Sequence, residues 1–150
     1  MNYATSWKQL LSSNNPSAEE SRAISKMDPQ SGKRVIVSGK NLCGCLGLGD
    51  QAIDKFVPHP TELKVDNVTW AQIAYEFLYA AAISSNGEVF TWGHGWTYVL
   101  GHGDQYDRKV PTRVEGLSGE TIVKVACGTF HMAAVSITGK VFTWYVTLIK

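Results

Sequence analysis

The sequence has few of the features that mark secreted, membrane-embedded or nucleic-acid-binding proteins. Its three cysteines, Cys43, Cys45 and Cys127, are an odd number at no zinc-like spacing, so no disulfide framework is expected and a reducing cytoplasmic or nuclear compartment is favoured. No apolar run approaches the roughly 18 residues that a membrane-spanning helix needs, and the N-terminus lacks the basic and apolar regions of a signal peptide. The formal net charge is only +1, which predicts no direct nucleic-acid binding.

Motifs for nucleotide binding, metal binding and covalent catalysis are also missing. Neither the dinucleotide fingerprint G-x-G-x-x-G nor the phosphate-loop sequence Gly-Lys-Ser/Thr occurs, and no nucleophile elbow frames a serine. Cys43 and Cys45 form a single C-x-C, and His94 and His102 have no cysteine or third histidine near them in the sequence. The sequence therefore predicts no catalytic residue, no cofactor and no metal site, and a protein that is not an enzyme.

What the sequence does contain is an internal repeat. The pattern of residues 35–50 returns at residues 89–104 and begins again at residue 141, a period of about 50 residues. Each copy opens with alternating β-branched and aromatic residues and continues into a glycine-rich loop. About four short strands and no convincing helix fit within each repeat, which is typical of a propeller blade.

Individual segments within the repeats carry further predictions. The apolar run at residues 77–83 suits a strand buried on both faces. Pro58 and Pro111, each after a valine, indicate an edge strand or a loop and are matched to each other between the two repeats. His131 lies in an otherwise apolar strand and aligns with Tyr79, so we expect it in the core, hydrogen-bonded to a neighbouring turn.

Residues 1–34 differ from the repeats, since they are rich in Ser, Asn and charged residues and poor in strand formers. Ser17 and Glu20 fit a capping box, which predicts a short helix from about Ser17 to Met27. We therefore expect a partly helical or disordered N-terminal tail at residues 1–34, followed by propeller repeats at 35–88 and 89–140 and a partial repeat at 141–150.

Four motifs together carry a family resemblance. They are Val-Phe-Thr-Trp-Gly at residues 89–93, Leu-Gly-His-Gly-Asp at 100–104, Val-Pro at 110–111 and Val-Ala-Cys-Gly-Thr-Phe-His at 125–131. Over about residues 35–144 the chain resembles the regulator of chromosome condensation repeat family, whose members are typically seven-bladed β-propellers. The resemblance implies an all-β fold: two four-stranded blades and the start of a third.

The resemblance also implies a function. It points to a protein-interaction propeller that regulates a small Ras-related GTPase as a guanine-nucleotide exchange factor, and the alternative is the substrate-recruiting propeller of a large ubiquitin ligase. Two repeats and the start of a third cannot close a seven-bladed ring. We therefore expect either an excerpt or truncated product of a longer protein, or a chain that must self-associate through its open strand edges or bind a partner to be stable.

The second glycine loop is the candidate binding site. The strand and the glycines of residues 89–104 recur from residues 35–50 and are explained by blade geometry, whereas His94, Trp96, Tyr98 and His102 differ between the two copies. These four residues are predicted to form a partner-binding loop.

Overall fold

The computed structural model describes residues 26–27 and 34–145, which fold into β-strands joined by turns and short 3-10 helices. No α-helix occurs in this part of the chain, and no helix there is long and apolar enough to cross a membrane. The 3-10 helices are Leu42–Gly44, Asp50–Ala52, Trp96–Tyr98 and Glu115–Leu117. The strands are β1 (Lys26–Met27), β2 (Val35–Lys40), β3 (Phe56–Leu63), β4 (Trp70–Tyr75), β5 (Tyr79–Ser84), β6 (Val89–Gly93), β7 (Arg108–Arg113), β8 (Ile122–Gly128), β9 (His131–Ser136) and β10 (Val141–Tyr145).

The strands form three antiparallel sheets in the order β1-β2-β3, β4-β5-β6-β7 and β8-β9-β10, here called the first, second and third blade. This arrangement confirms the all-β partial propeller. The blades are, however, offset from the sequence repeats. Residues 35–88 hold two strands of the first blade and two of the second, and residues 89–140 hold two of the second and two of the third. The described strands therefore make one four-stranded blade between two three-stranded ones, a different grouping from two complete blades and the start of a third.

Strand β5 joins the two hydrophobic clusters that hold the blades together. All six of its residues are buried, which confirms the strand predicted to be buried on both faces. Ala80 and Ala82 belong to the cluster between the first and second blades, and Ala81 and Ile83 to the cluster between the second and third. Small alanine side chains on both faces let the neighbouring blades approach closely, as close packing of a core requires.

A side-chain clamp ties the second blade to the third. The Nε2 amide of Gln72 on β4 donates to the Val125 carbonyl on β8 at 2.9 Å, and the Val125 N–H donates to Oε1 of Gln72 at 3.0 Å. Because Val125 is itself buried, the glutamine amide satisfies a pair of backbone groups much as a neighbouring strand would. The clamp fixes β4 relative to β8.

The prolines lie on edge strands, which is one of the two alternatives that the sequence left open, but their pairing differs from the sequence alignment. Pro58 and Pro60 lie on β3 and Pro111 on β7, and each strand is the last of its sheet. The strand registers make Thr61 equivalent to Thr112, and each hydroxyl donates to the carbonyl two residues earlier at 3.0 Å. The structural counterpart of Pro111 is therefore Pro60, because the first repeat has a longer connection between its strands.

The prediction that His131 lies in the core is wrong: the residue is exposed in this structure. Its counterpart Tyr79 is buried, and the Tyr79 hydroxyl donates to the Gly128 carbonyl of the next blade. Nothing among the described residues covers the corresponding face of the third blade, which also exposes Val141 and Tyr145. Tyr79 is buried and His131 is exposed because a further blade packs against Tyr79, and not because the two strands differ in structure.

The N-terminal predictions fall mostly outside the described residues. Lys26–Met27 pairs with β2 as a short strand, in register with Ile36 and Val35, so the helix predicted to reach Met27 does not include these two residues. The rest of that helix and the tail at residues 1–25 lie outside the part of the chain that the structure describes.

Candidate interaction surface

The loop at residues 41–55 joins β2 to β3, and the loop at residues 94–107 joins β6 to β7. Both leave the same end of their sheets, together with the turns at 76–78 and 129–130; this end is called the loop end below. The first loop packs against the start of β7, where the Gly49 N–H donates to the Lys109 carbonyl at 2.9 Å. Lys109 Nζ also forms an ion pair with Asp50 at 2.6 Å. The two loops therefore form one continuous surface.

Two carboxylates shape the loop at residues 94–107 from within. Oδ1 of Asp107 accepts the Gly95 N–H at 2.8 Å and lies 2.9 Å from Nδ1 of His94. Asp104 accepts the backbone N–H of Tyr106 at 3.0 Å and pairs with the Arg108 guanidinium at 2.7 Å. The hydrogen bond from Arg108 holds the pKa of the Asp104 carboxyl below its ordinary value. These contacts give the loop a defined shape before any partner binds.

The backbone at the tip of this loop is strained. Thr97 and Tyr98 both adopt left-handed conformations, with φ of 73° and 63°. The equivalent pair in the first loop is Cys43 at 51° and Gly44 at 78°, where the second position is the glycine that this conformation favours. A residue other than glycine in this region costs about 1–3 kcal/mol, and such strain is concentrated at functional sites.

Aromatic side chains are exposed across the loop end. Trp96 is 62% exposed and Tyr98 is 49% exposed, and the His94 ring lies 6.2 Å from the Trp96 ring. Further exposed aromatic residues at this end are Tyr106, Phe77 and Phe130. The sequence did not point to these three residues. The strand predicted from the apolar run at residues 77–83 includes Phe77, whereas Phe77 and Phe130 both lie in turns between strands. A surface with this many exposed aromatic rings has the composition of a protein-binding site.

His102 lies at the base of the same loop. Its Nε2 is 3.0 Å from the Thr91 hydroxyl, which donates its own hydrogen to the Leu100 carbonyl at 2.7 Å. Because that hydrogen is used, Nε2 of His102 carries a proton and donates to Thr91. Burial, followed by the nearby Arg108, lowers the pKa of His102, which favours the neutral ring.

The first repeat replaces this polar pair with an apolar one. Val37 occupies the position of Thr91, and Leu48 occupies that of His102; Val37 is buried and Leu48 packs against the same cluster. Both members of the pair therefore differ together between the two repeats: one repeat has two polar residues and the other has two apolar residues. His102 supports the loop from below, whereas His94, Trp96 and Tyr98 reach its outer surface.

Folding also brings Cys43 to His94 and Asp107, which the sequence did not indicate. One donor atom from each of the three residues lies within 4.8 Å of the others. A cysteine nucleophile would need a lowered pKa, yet burial and the charges of Asp107 and Asp54 raise the pKa of the Cys43 thiol. The cluster therefore does not have the electrostatics of a Cys-His-Asp catalytic site.

Comparison with known proteins agrees with this architecture. A sequence model of the regulator of chromosome condensation (RCC1) repeat matches residues 86–135. The chain therefore contains an RCC1 repeat at residues 86–135. It is 37% identical to the Ultraviolet-B receptor UVR8 of Arabidopsis thaliana over 106 residues, which cover 71% of this chain and 24% of the receptor. It is 40% identical to the human E3 ubiquitin-protein ligase HERC2 over 74 residues, which cover 48% of this chain and 2% of the ligase.

Two solved structures match the fold of this chain over three quarters of its length. Human WBSCR16 superposes with a TM-score of 0.66 at 28% identity, covering 75% of this chain and 28% of that one. Yeast RCC1 (Prp20), in its complex with Kap60, superposes with a TM-score of 0.65 at 23% identity over the same shares. The second likeness shows the fold alone. The chain thus spans about a quarter of the length of UVR8 and of these structural relatives.

Proposed function

We propose that this chain is part of a protein-interaction propeller that binds a protein partner through the loop end, with His94, Trp96 and Tyr98 in contact and His102 supporting them. The observation that carries the proposal is the left-handed backbone at Thr97 and Tyr98. A glycine would relieve the strain at Tyr98, as Gly44 does in the first loop, yet the position holds a half-exposed aromatic side chain. Retained strain that presents an aromatic ring to solvent supports a binding role.

Site-specific photo-crosslinking tests this proposal. A photoreactive phenylalanine analogue is placed at Trp96 in the full-length parent protein expressed in cells, and a matched variant carries it at Ile137. Ile137 is 70% exposed but lies in the turn between β9 and β10, at the opposite end of the blades. We expect a discrete protein adduct from position 96 and none from position 137. Equal adducts from both positions, or no adduct from position 96, would contradict the proposal.

The first candidate for the finer function is guanine-nucleotide exchange on a small Ras-related GTPase. It is supported by the family resemblance, and no residue of the loop end is assigned to nucleotide release. The measurement is release of labelled nucleotide from the GTPase with substoichiometric full-length protein. We expect faster release, with the Trp96→Ala variant slower than the parent because GTPase docking is weakened. No acceleration by the parent would remove this candidate.

The second candidate is substrate recruitment for ubiquitin ligation. It is favoured by the similarity to two ligases, 40% identity to HERC2 and 34% identity to the probable ligase HERC3, both human. If it is right, the partner crosslinked at Trp96 is ubiquitylated in cells that contain the parent protein, and Trp96→Ala lowers that ubiquitylation while Ile137→Ala does not. An unmodified crosslinked partner would count against it. The proposed setting is intracellular, cytoplasmic or nuclear, in keeping with three free cysteines.

A further inference from the structure

We propose that Cys43, His94 and Asp107 form a binding site for a divalent transition metal, with Zn²⁺ as the best fit, and that the metal joins the two loops of the loop end. Cys43 comes from the loop at residues 41–55, and His94 and Asp107 come from the two ends of the loop at 94–107. The inference goes beyond the proposed function, since it does not depend on which protein the surface binds.

The donor set matches the chemistry of zinc. Zn²⁺ accepts a thiolate, an imidazole nitrogen and a carboxylate oxygen, whereas Mg²⁺ and Ca²⁺ select oxygen donors alone. Bonds of about 2.0–2.3 Å in a tetrahedral site place the donor atoms roughly 3.3–3.8 Å apart. The three donor atoms already lie within 4.8 Å of one another. Metal binding would bring them to that spacing by side-chain rotations that also replace the 2.9 Å hydrogen bond between His94 and Asp107.

Neighbouring groups hold two of the ligands in position. The Gly95 N–H donates to Asp107 at 2.8 Å, and such a bond orients a carboxylate ligand in the manner of a supporting shell around a metal. The Cys43 N–H donates to the Asp54 carboxylate at 3.3 Å, which stabilises the left-handed backbone at Cys43. Three protein ligands leave a fourth position for water or for a side chain of a bound partner.

Blade geometry does not account for this set of side chains. The position of His94 is occupied in the first repeat by Lys40, and the position of Cys43 is occupied in the second repeat by Thr97. Neither lysine nor threonine is a zinc ligand at neutral pH. The set therefore arises where these two loops meet and is absent from the repeated framework.

The experiment is titration of the reduced protein, in its full-length form, with Zn²⁺ by calorimetry and with Co²⁺ by absorption spectroscopy. We expect one equivalent of Zn²⁺ with a dissociation constant below about 10 μM. We also expect a thiolate-to-cobalt charge-transfer band with the d–d intensity of a tetrahedral site. Zn²⁺ should protect the amides of residues 41–55 and 94–107 together from hydrogen exchange. Absence of Zn²⁺ binding with a dissociation constant below about 10 μM would overturn the proposal and leave the cluster as a hydrogen-bonded contact between loops.

Variants separate this site from binding elsewhere. Cys43→Ser should abolish the charge-transfer band, and His94→Gln and Asp107→Asn should each weaken Zn²⁺ binding at least about tenfold. Cys127→Ser on β8 and His59→Gln on β3 are the matched controls and should leave the binding isotherm unchanged. If Cys43→Ser does not fold, His94→Gln still tests the site, because the His94 ring is partly exposed. A stoichiometry or affinity that His94→Gln leaves unaltered would overturn the assignment.

Discussion

Replacing Gln72 with methionine tests whether the clamp between β4 and β8 holds the second and third blades together. Methionine keeps the length of the side chain but removes the amide that donates to the Val125 carbonyl and accepts the Val125 N–H. Two neutral hydrogen bonds contribute about 1 kcal/mol each, and a buried backbone group that loses its partner adds a further penalty of about 1–3 kcal/mol. We therefore expect Gln72→Met to lower the free energy of unfolding by about 3–5 kcal/mol, measured by urea denaturation.

The variant Gln72→Glu adds a pH signature to the same contact. Its ionised carboxylate can accept the Val125 N–H but repels the Val125 carbonyl, whereas the protonated acid can donate to that carbonyl. The folded protein therefore favours the protonated form and raises the pKa of this carboxyl above its unfolded value of about 4.3. Its stabilising contribution is present below that value and is lost as the pH rises through the folded pKa. We expect the deficit relative to the parent to be smallest near pH 4 and largest at pH 7.

Lys124 provides the matched control, because it occupies the position of Gln72 in the third blade and is exposed. Lys124→Met should change the free energy of unfolding by less than about 0.5 kcal/mol, as is usual for exposed positions. A Gln72→Met variant as stable as Lys124→Met, or a Gln72→Glu deficit that does not vary with pH, would refute the account of the clamp.

Three further predictions concern the loop end. Thr91→Val and His102→Leu should each destabilise the fold by about 1–3 kcal/mol, while the double variant, which copies the first repeat, should recover most of that loss in a double-mutant cycle. Because burial lowers the pKa of His102 in the folded state, stability should fall as the pH drops below about 6.5 towards the folded value, and the double variant should lack that step in urea denaturation at each pH. Gly95→Ala should lower the free energy of unfolding by more than about 2 kcal/mol, because the new Cβ would overlap the Tyr106 carbonyl. Gly103→Ala should cost only about 1 kcal/mol, because the space there is open and only the left-handed backbone disfavours alanine. Similar losses for the two variants in urea denaturation would contradict the steric reasoning.

The sequence predicts the strands well because their signals are local. Alternating or continuous apolar residues and the glycine turns identify β5 and β6, and β5 is buried on both faces as predicted. The grouping of strands into blades is not local, since a repeat defines which segments are equivalent and not which of them share a sheet. The sequence alignment pairs Pro111 with Pro58 because it does not account for the longer loop of the first repeat. The strand registers show that Pro60 is the counterpart of Pro111.

The candidate site divides in the same way. Residues that differ between equivalent loops can be identified by comparing the two copies, and this comparison identifies Trp96 and Tyr98 as candidates. The approach of Cys43 to His94 depends on how the loop of one blade lies against the next, and no spacing in the sequence encodes it. For His131, comparing the copies gave a wrong prediction. Its aligned partner Tyr79 is buried against the next blade, but no described residue packs against His131 in the same way.

The offset between repeat and blade affects how such a protein could change its length during evolution. Each repeat contributes the last two strands of one blade and the first two of the next, so a duplicated repeat brings no self-contained blade with it. Its two halves are absorbed into sheets whose remaining strands belong to flanking repeats, and the covalent backbone crosses every new boundary. A nick in the turn at residues 85–88 would leave the two halves of the second blade joined by the hydrogen bonds between β5 and β6 and by the packing of their side chains, with no covalent link between them. A nick in the connection at residues 114–121 would instead leave whole sheets on either side.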